Sequence, residues 1–167
     1  YIKLYIWGYS MTISKTNAVR LLDSKKIPYE IYEYDAPEGF LDGVSVAKAT
    51  GMPVDKVFKT LVTQGASHEY YVCIIPVAAE LDLKKAAKHF GEKKLDMIPA
   101  RNITAVTGYI KGGCSPLGMK KAVRTAIHQS AAELGKIVVS AGKVGLQMEI
   151  SPQDLLAVAK ASLADLI

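Results

Sequence analysis

Three glycines and one proline fall within seven consecutive residues, 112–118, in the order Gly-Gly-Cys-Ser-Pro-Leu-Gly. Glycine permits a positive φ and the close approach of another group, while proline removes one backbone donor and stiffens the turn. The remaining amide groups of such a loop can converge on one oxygen atom, which suits a carbonyl or a phosphate. A tight connection between two strands explains the same composition, so the segment alone leaves both interpretations open.

The length and composition indicate one globular domain. The chain has 167 residues, half of them hydrophobic, which is enough for one substantial core. The longest apolar runs, such as residues 72–79, are far shorter than the roughly 20 residues that cross a bilayer, so we expect no membrane segment. Cys73 and Cys114 are the two cysteines and have no metal-ligand spacing, which favours a reducing cytoplasm.

The formal charge is +5, which makes the chain mildly basic. Lysine and arginine cluster within residues 84–88, 93–94 and 111–124. These clusters suit a polyanionic partner, although solvated helix faces often carry similar ones. Residues 1–10 precede Met11, where the sequence reads like an ordinary native start. We therefore expect residues 1–10 to be a cloning remnant without function and residues 11–167 to form the domain.

The hydrophobic periodicity predicts helices and strands in an irregular order. Helices are expected at residues 15–25 after a Ser14 cap, 45–50, 84–90 after an Asp82 cap, 102–106 after an Asn102 cap, and from Ser151 to the C-terminus; strands are expected at 29–34, 57–63, 70–77, 122–127, 136–140 and 146–150. This order favours an α+β fold, with a mixed sheet or partly closed β-barrel and peripheral helices, over a doubly wound sheet.

A lysine interrupts the apolar face of the strand predicted at residues 57–63. Strict alternation places Lys59 on the same face as Val57 and Leu61. A buried ammonium group needs a partner, so a lysine in this position can line a cleft. Its aliphatic stem can instead extend to solvent at a sheet edge, and the spacing does not decide between these two arrangements.

Four segments together resemble the YbaK/EbsC family, the free-standing homologues of the editing domain inserted in bacterial prolyl-tRNA synthetases. The segments are residues 58–61 (FKTL), 76–82 (PVAAELD), 107–118 (TGYIKGGCSPLG) and 139–143 (VSAGK). Their order, their spacing and the total length agree with the family from about residue 15 to residue 167. The combination is far more specific than any one glycine motif.

The resemblance implies trans-editing, the hydrolysis of the ester that joins a wrong amino acid to the terminal adenosine of a tRNA. YbaK-like members act on cysteine mischarged onto tRNA for proline. The partners implied are aminoacyl-tRNA and, as a candidate, prolyl-tRNA synthetase, with no cofactor and no metal. The catalytic residues expected are Lys59, which matches the essential family lysine, and Gly112, Gly113 and Ser115, whose loop offers amides to an oxyanion; the substrate-binding residues expected are Tyr34, Phe40, Pro116, Leu117, Gly118, Ser140 and Gln147.

One departure from the family pattern concerns substrate choice. YbaK-like sequences often carry an aspartate where this chain has Gln147. A glutamine can replace it in hydrogen bonding but carries no charge, so an alanyl-tRNA(Pro) deacylase remains an alternative, as does a noncatalytic tRNA-binding or synthetase-binding module. The mechanism proposed for YbaK uses the thiol of the substrate to attack its own ester, which would need no protein nucleophile.

Other reactive residues fit the chemistry less well. Cys114 can be read as a nucleophile, but small-side-chain packing explains its place in the loop. His68, His89 and His128 lie far apart without a metal-binding pattern, and we expect them at the surface. Residues 113–118 have the glycine spacing of a phosphate loop, but Met119 stands where that motif requires lysine.

Overall fold

The computed structural model of the chain describes residues 3–6, 15–36 and 42–167. Two residues named in the predictions, Ser14 and Phe40, lie outside them. The helices and strands are β1 (Lys3–Ile6), α1 (Asn17–Ser24), β2 (Glu30–Glu33), α2 (Gly43–Thr50), β3 (Phe58–Gly65), β4 (Tyr70–Pro76), α3 (Leu83–Phe90), β5 (Leu95–Met97), α4 (Ile103–Thr107), β6 (Arg124–His128), β7 (Ile137–Lys143), β8 (Leu146–Ile150), α5 (Pro152–Ala159) and β9 (Ser162–Ala164).

The strands form two sheets. One is antiparallel with the order β1-β2-β8-β7, and the other has the order β5-β3-β4-β6-β9, in which β4, β6 and β9 run parallel. A parallel bridge between Val57 and Val138 connects them. The predicted α+β fold with mixed strand pairing is confirmed, and within the described residues the sheets do not close into a barrel. The described part of residues 1–10 is the edge strand β1, which pairs with β2.

The main hydrophobic core lies between the two sheets. Ile31 and Met148 of the first sheet meet Phe58 and Ile74 of the second there, and all four are nearly inaccessible to solvent. The opposite face of the five-stranded sheet is covered by α3, which begins at its Asp82 cap as predicted. This arrangement fixes both faces of β3, the strand that carries Lys59.

One edge of β3 changes partner along its length and leaves a gap. Thr63–Gly65 pairs with β5, and the Ile98 amide donates to the Val62 carbonyl at 3.2 Å. At the other end, Val57 forms the bridge to β7. Between these points, residues 58–61 have no strand partner on this edge among the described residues. The gap opens at the junction of the two sheets.

The first and last helices differ from the sequence predictions. Helix α1 begins at Asn17, because the Thr16 hydroxyl accepts the amide hydrogen bond of Val19 at 3.2 Å. The prediction that the last helix reaches the C-terminus is wrong. Helix α5 ends at Ala159, Lys160 adopts a left-handed conformation with φ of 50°, and β9 then pairs with β6. Strand pairing outweighs the helical pattern there because it satisfies backbone groups in the sheet.

The prediction of a surface location is wrong for His128, which is 6% exposed. Its Nδ1 accepts a hydrogen bond from the Leu166 amide at 3.1 Å, so the ring anchors the C-terminal segment. Burial lowers the pKa of His128, while nearby Asp165 acts in the opposite direction. Both the hydrogen bond and the burial favour the neutral ring, because a protonated Nδ1 cannot accept this hydrogen bond.

Among the helices that the structure describes, none has the length and apolar character needed to cross a membrane.

Candidate active site

A cavity of about 460 Å³ lies at the gap beside β3. This volume is typical of small-ligand sites, which occupy roughly 300–1,000 Å³. Of the residues predicted for the site, its lining includes Tyr34, Lys59, Gly112, Ser140 and Gln147. The structure thus brings the strand lysine and the beginning of the glycine loop to one hollow, although they are more than 50 positions apart in sequence.

The half-buried Lys59 is placed by the backbone geometry of β3. It lies opposite Ile75 of β4 and lines the cavity, which agrees with the cleft interpretation. Among the described carboxylates none forms an ion pair with Lys59, whereas Glu149 on β8 of the other sheet is paired with Lys56 at 2.6 Å. A cation that forms no ion pair with a protein carboxylate is suited to bind a phosphate or a polarised ester oxygen. Asp42 also belongs to the cavity lining.

The glycine loop divides into two halves with different roles. In the first half, Gly112 has a φ of 83°, and it and Cys114 line the cavity. The Gly113 amide donates to the Ile110 carbonyl at 3.0 Å, so this amide is already engaged. The amides of Gly112 and Cys114 have no hydrogen-bond acceptor among the described residues. These two groups are therefore available backbone donors of the glycine loop at the cavity.

Gly113 holds the loop against the turn between β7 and β8. A Cβ atom there would lie 2.9 Å from the Val144 nitrogen, closer than packed atoms allow. Ser115 is fully buried, and its hydroxyl accepts the Leu117 amide at 3.3 Å. Gly113 and Ser115 thus shape the loop from behind the cavity, and neither lines it.

The second half of the loop faces away from this cavity. Pro116, Leu117 and Gly118 line a different hollow. The Tyr109 hydroxyl donates to the Leu117 carbonyl at 2.6 Å, and a Cβ on Gly118 would lie 2.7 Å from the Asn17 carbonyl carbon of α1. The structure does not bring these three residues, predicted to bind substrate, together with Lys59.

Two orphaned polar atoms belong to residues of the cavity wall. Gln147 is 7% exposed, and its Oε1 has no hydrogen-bond partner among the described residues. The hydroxyl oxygen of Thr60 also has no hydrogen-bond partner among the described residues. Buried polar atoms in folded proteins are nearly always paired, so these two unpaired oxygens are exceptions among the groups of the cavity wall. Ser140, opposite Gln147 in the sheet, differs because its hydroxyl accepts the Gly142 amide at 3.2 Å.

Sequence reasoning missed Thr60 and the apolar part of the lining. Thr60 alternates away from Lys59 along β3, and the signal that could have identified it is a hydroxyl directly after the candidate lysine. The apolar wall includes Met97, Ile98 and Ile103, and Met97 is 46% exposed at its edge. These residues come from the region of β5 and α4, whose approach to β3 has no local pattern in the sequence.

Cys114 also lines the cavity, but its thiol is a poor nucleophile. Burial raises its pKa to about 11, so the group stays protonated at neutral pH. No histidine is part of the described lining. Among the described residues, no group of three or more histidine, cysteine, aspartate or glutamate side chains is arranged to hold a metal ion.

Comparison with known proteins agrees with this fold. Residues 42–158 match the family model of the aminoacyl-tRNA editing domain. A protein of Enterococcus faecalis, EbsC, is 43% identical over 155 residues, which cover 93% of this chain and 94% of that protein. EbsC is named as a candidate Cys-tRNA(Pro)/Cys-tRNA(Cys) deacylase. The chain belongs to the aminoacyl-tRNA editing domain family, in its YbaK/EbsC group.

More distant relatives share the same domain. A proline–tRNA ligase of Burkholderia thailandensis is 25% identical over 140 residues, which cover 81% of this chain and 24% of the ligase. A crystal structure described as a candidate trans-editing enzyme for prolyl-tRNA synthetase has a TM-score of 0.78 at 22% identity. The match covers 92% of this chain and 98% of that one, which shows a shared fold.

Proposed function

We propose that this protein is a trans-editing deacylase that releases cysteine from mischarged Cys-tRNA(Pro). The observation that carries the proposal is the juxtaposition of Lys59 with two unengaged amides, of Gly112 and Cys114, at one cavity. The similarity to EbsC supports the choice of substrate. Because mischarged tRNA arises during translation, we place the activity in the cytoplasm.

Each group has a part in ester cleavage. The Lys59 ammonium would hold the terminal adenosine through its phosphate or orient the ester. The amides of Gly112 and Cys114 would stabilise the tetrahedral oxyanion, and removing one such donor typically costs about 3–4 kcal/mol. The Gln147 oxygen would accept a hydrogen bond from the α-ammonium group of the amino acid. Tyr34 and the Met97 wall would flank the aminoacyl-adenosine.

The attacking group would be the thiol of the substrate. Its sulfur forms a bond to the carbonyl carbon, the ester C–O bond breaks, and the thiol proton passes to the departing ribose oxygen. The products are tRNA with a free hydroxyl and a cyclic thiolactone. This route fits a cavity whose described lining contains no histidine and whose Cys114 is protonated. It also favours cysteine over alanine, which lacks the thiol.

Prolyl-tRNA synthetase is the partner we propose for tRNA selection. The similarity of this chain to part of a proline–tRNA ligase supports that link, because the ligase carries a related domain within its own chain. Alanyl-tRNA(Pro) is the second substrate to test, since the uncharged Gln147 lines the pocket where the family often has an aspartate.

The deciding experiment measures hydrolysis of tRNA(Pro) charged with cysteine, alanine or proline, beside Cys-tRNA(Cys). We expect cysteinyl esters to be hydrolysed and Lys59→Ala to reduce the rate about 100-fold, the effect typical of removing one transition-state contact. Lys48→Ala removes the same charge from an exposed position on α2 and is the matched control. Absence of hydrolysis with every substrate would leave the noncatalytic binding module as the better account.

A further inference from the structure

A basic ridge lies beyond the glycine loop, outside the cavity. The segment 121–124 is the wall shared by two hollows of about 530 and 490 Å³. One hollow is completed by the second half of the glycine loop and the end of α5, and the other by the turn between β3 and β4. The basic ridge comprises Lys120, Lys121, Arg124 and Lys160, and all four are exposed.

The charge of this surface is almost entirely positive. Among the lining residues of the two hollows, Glu69 is the single carboxylate. No described carboxylate forms an ion pair with a residue of the basic ridge. The other two basic clusters of the sequence differ, because Lys85 pairs with Asp165 at 2.9 Å and Lys94 with Asp96 at 3.4 Å. The ridge therefore has positive charge that no described carboxylate compensates, and it borders two hollows.

One cation of the ridge is held in position before any ligand arrives. The Arg124 guanidinium lies 5.6 Å from the ring centroids of both Tyr71 and Phe90. It also donates to the Phe90 carbonyl at 3.3 Å. A guanidinium fixed in this way gives up less conformational entropy when it binds a phosphate than a freely rotating lysine does.

The ridge is connected to the proposed active site by a short stretch of chain. Lys121 on the ridge follows Gly112 at the cavity by nine positions, which limits their distance to about 32 Å at full extension. A polyanion long enough to span this distance can contact the ridge while its end occupies the cavity.

We propose that the basic ridge binds the phosphodiester backbone of the RNA acceptor stem while the aminoacylated 3′ end occupies the cavity. This inference rests on the proposed function for the identity of the RNA. The ridge is expected to bind phosphates, which position a nucleic acid without reading its sequence. Selection among tRNAs would then depend on another component.

The test uses the full chain with Lys121→Glu and Lys160→Glu combined, and Lys84→Glu with Lys88→Glu as the matched control on exposed positions of α3. Binding of uncharged tRNA is followed by fluorescence anisotropy at several salt concentrations. We expect the ridge variant to weaken binding at least tenfold. The slope of log affinity against log salt should become shallower by about 0.7–0.9 for each phosphate that the ridge no longer neutralises. The control should change much less.

A second variant separates removal of charge from its reversal. Lys121→Gln combined with Lys160→Gln keeps polar side chains of similar length at both exposed positions. We expect it to weaken tRNA binding in the same direction as the glutamate variant but to a smaller extent, because it introduces no repulsion of the phosphates. An affinity equal to that of the wild type would show that repulsion alone caused the effect, which contradicts binding by the ridge.

Deacylation kinetics separate this inference from the proposed function. With Cys-tRNA(Pro), the ridge variant should raise KM and leave kcat unchanged, whereas cysteinyl-adenosine should be hydrolysed as by the wild type. If the wild type hydrolyses neither substrate, the proposed function fails, while the anisotropy result still decides the ridge. Unchanged tRNA affinity in the ridge variant overturns the inference. So does an effect confined to binding of prolyl-tRNA synthetase, which would make the ridge a protein-binding surface.

Discussion

Replacing Gln147 by methionine should make the protein more stable and less active at the same time. Methionine has nearly the shape of glutamine. It lacks the side-chain carbonyl oxygen, so the variant has no unpaired acceptor at this position. Gln147 is 7% exposed and its Oε1 has no partner among the described residues. An unsatisfied buried polar atom costs about 1–3 kcal/mol. Folding should therefore become more favourable by about 1 kcal/mol, which raises Tm by roughly 2–4 °C in a domain of this size.

The expected effect on activity has the opposite sign because, in the proposed function, this oxygen accepts a hydrogen bond from the substrate. A hydrogen bond to a charged group contributes about 1.5–3 kcal/mol, which corresponds to a 10- to 150-fold fall in kcat/KM. The fall should appear with Cys-tRNA(Pro) and disappear with 3-mercaptopropionyl-tRNA(Pro), which keeps the thiol but lacks the α-amino group. Comparing the two substrates isolates the contact with the ammonium group.

Ser140→Ala provides the contrasting control. The Ser140 hydroxyl accepts the Gly142 amide, so its removal should destabilise the fold by about 1 kcal/mol. Urea unfolding of the wild type and both variants gives the stabilities, and steady-state deacylation gives the rates. A loss of about 1 kcal/mol or more in the unfolding free energy of Gln147→Met would contradict this prediction. The Oε1 atom of Gln147 would then have a protein partner. An unchanged kcat/KM would equally contradict a substrate contact.

Three further predictions concern the loop, the thiol and the C-terminal segment. Gly118→Ala should reduce the free energy of unfolding in urea more than Gly51→Ala does. Both glycines have a φ near 70°, but an added Cβ atom meets the backbone of α1 only at Gly118. Equal losses of stability in the two variants would contradict this prediction. Cys114→Ala should keep most of the deacylase rate and Cys114 should react slowly with iodoacetamide at neutral pH, because its pKa is about 11; rapid alkylation would contradict this. The pKa of His128 in the folded protein lies below its ordinary value of 6.5. The stability that the neutral ring contributes is therefore complete above pH 6.5 and is lost as the pH falls toward the folded pKa. His128→Asn, which retains an acceptor for the Leu166 amide, should flatten this part of the stability profile measured by urea unfolding.

The local sequence determined most of the secondary structure. The helix starts at Asp82 and Ser151, the helix ends at Gly51 and Gly91, and the hairpin of β3 and β4 are all set by residues within a few positions of one another. Caps and turns act over such short distances because they satisfy nearby backbone groups. The mixture of helices and strands then limited the fold to the α+β class.

Tertiary structure decided which of the predicted site residues meet. The glycine loop is continuous in sequence, yet Gly112 lines the cavity while Pro116 and Gly118 line another hollow, because Gly118 packs against α1. The sequence likewise offered no sign that Gln147 would keep an unpaired oxygen, since pairing depends on every neighbour across the sheet. Local patterns fix backbone conformation over a few residues, whereas a cavity and its unsatisfied groups arise from the packing of segments that are distant along the chain.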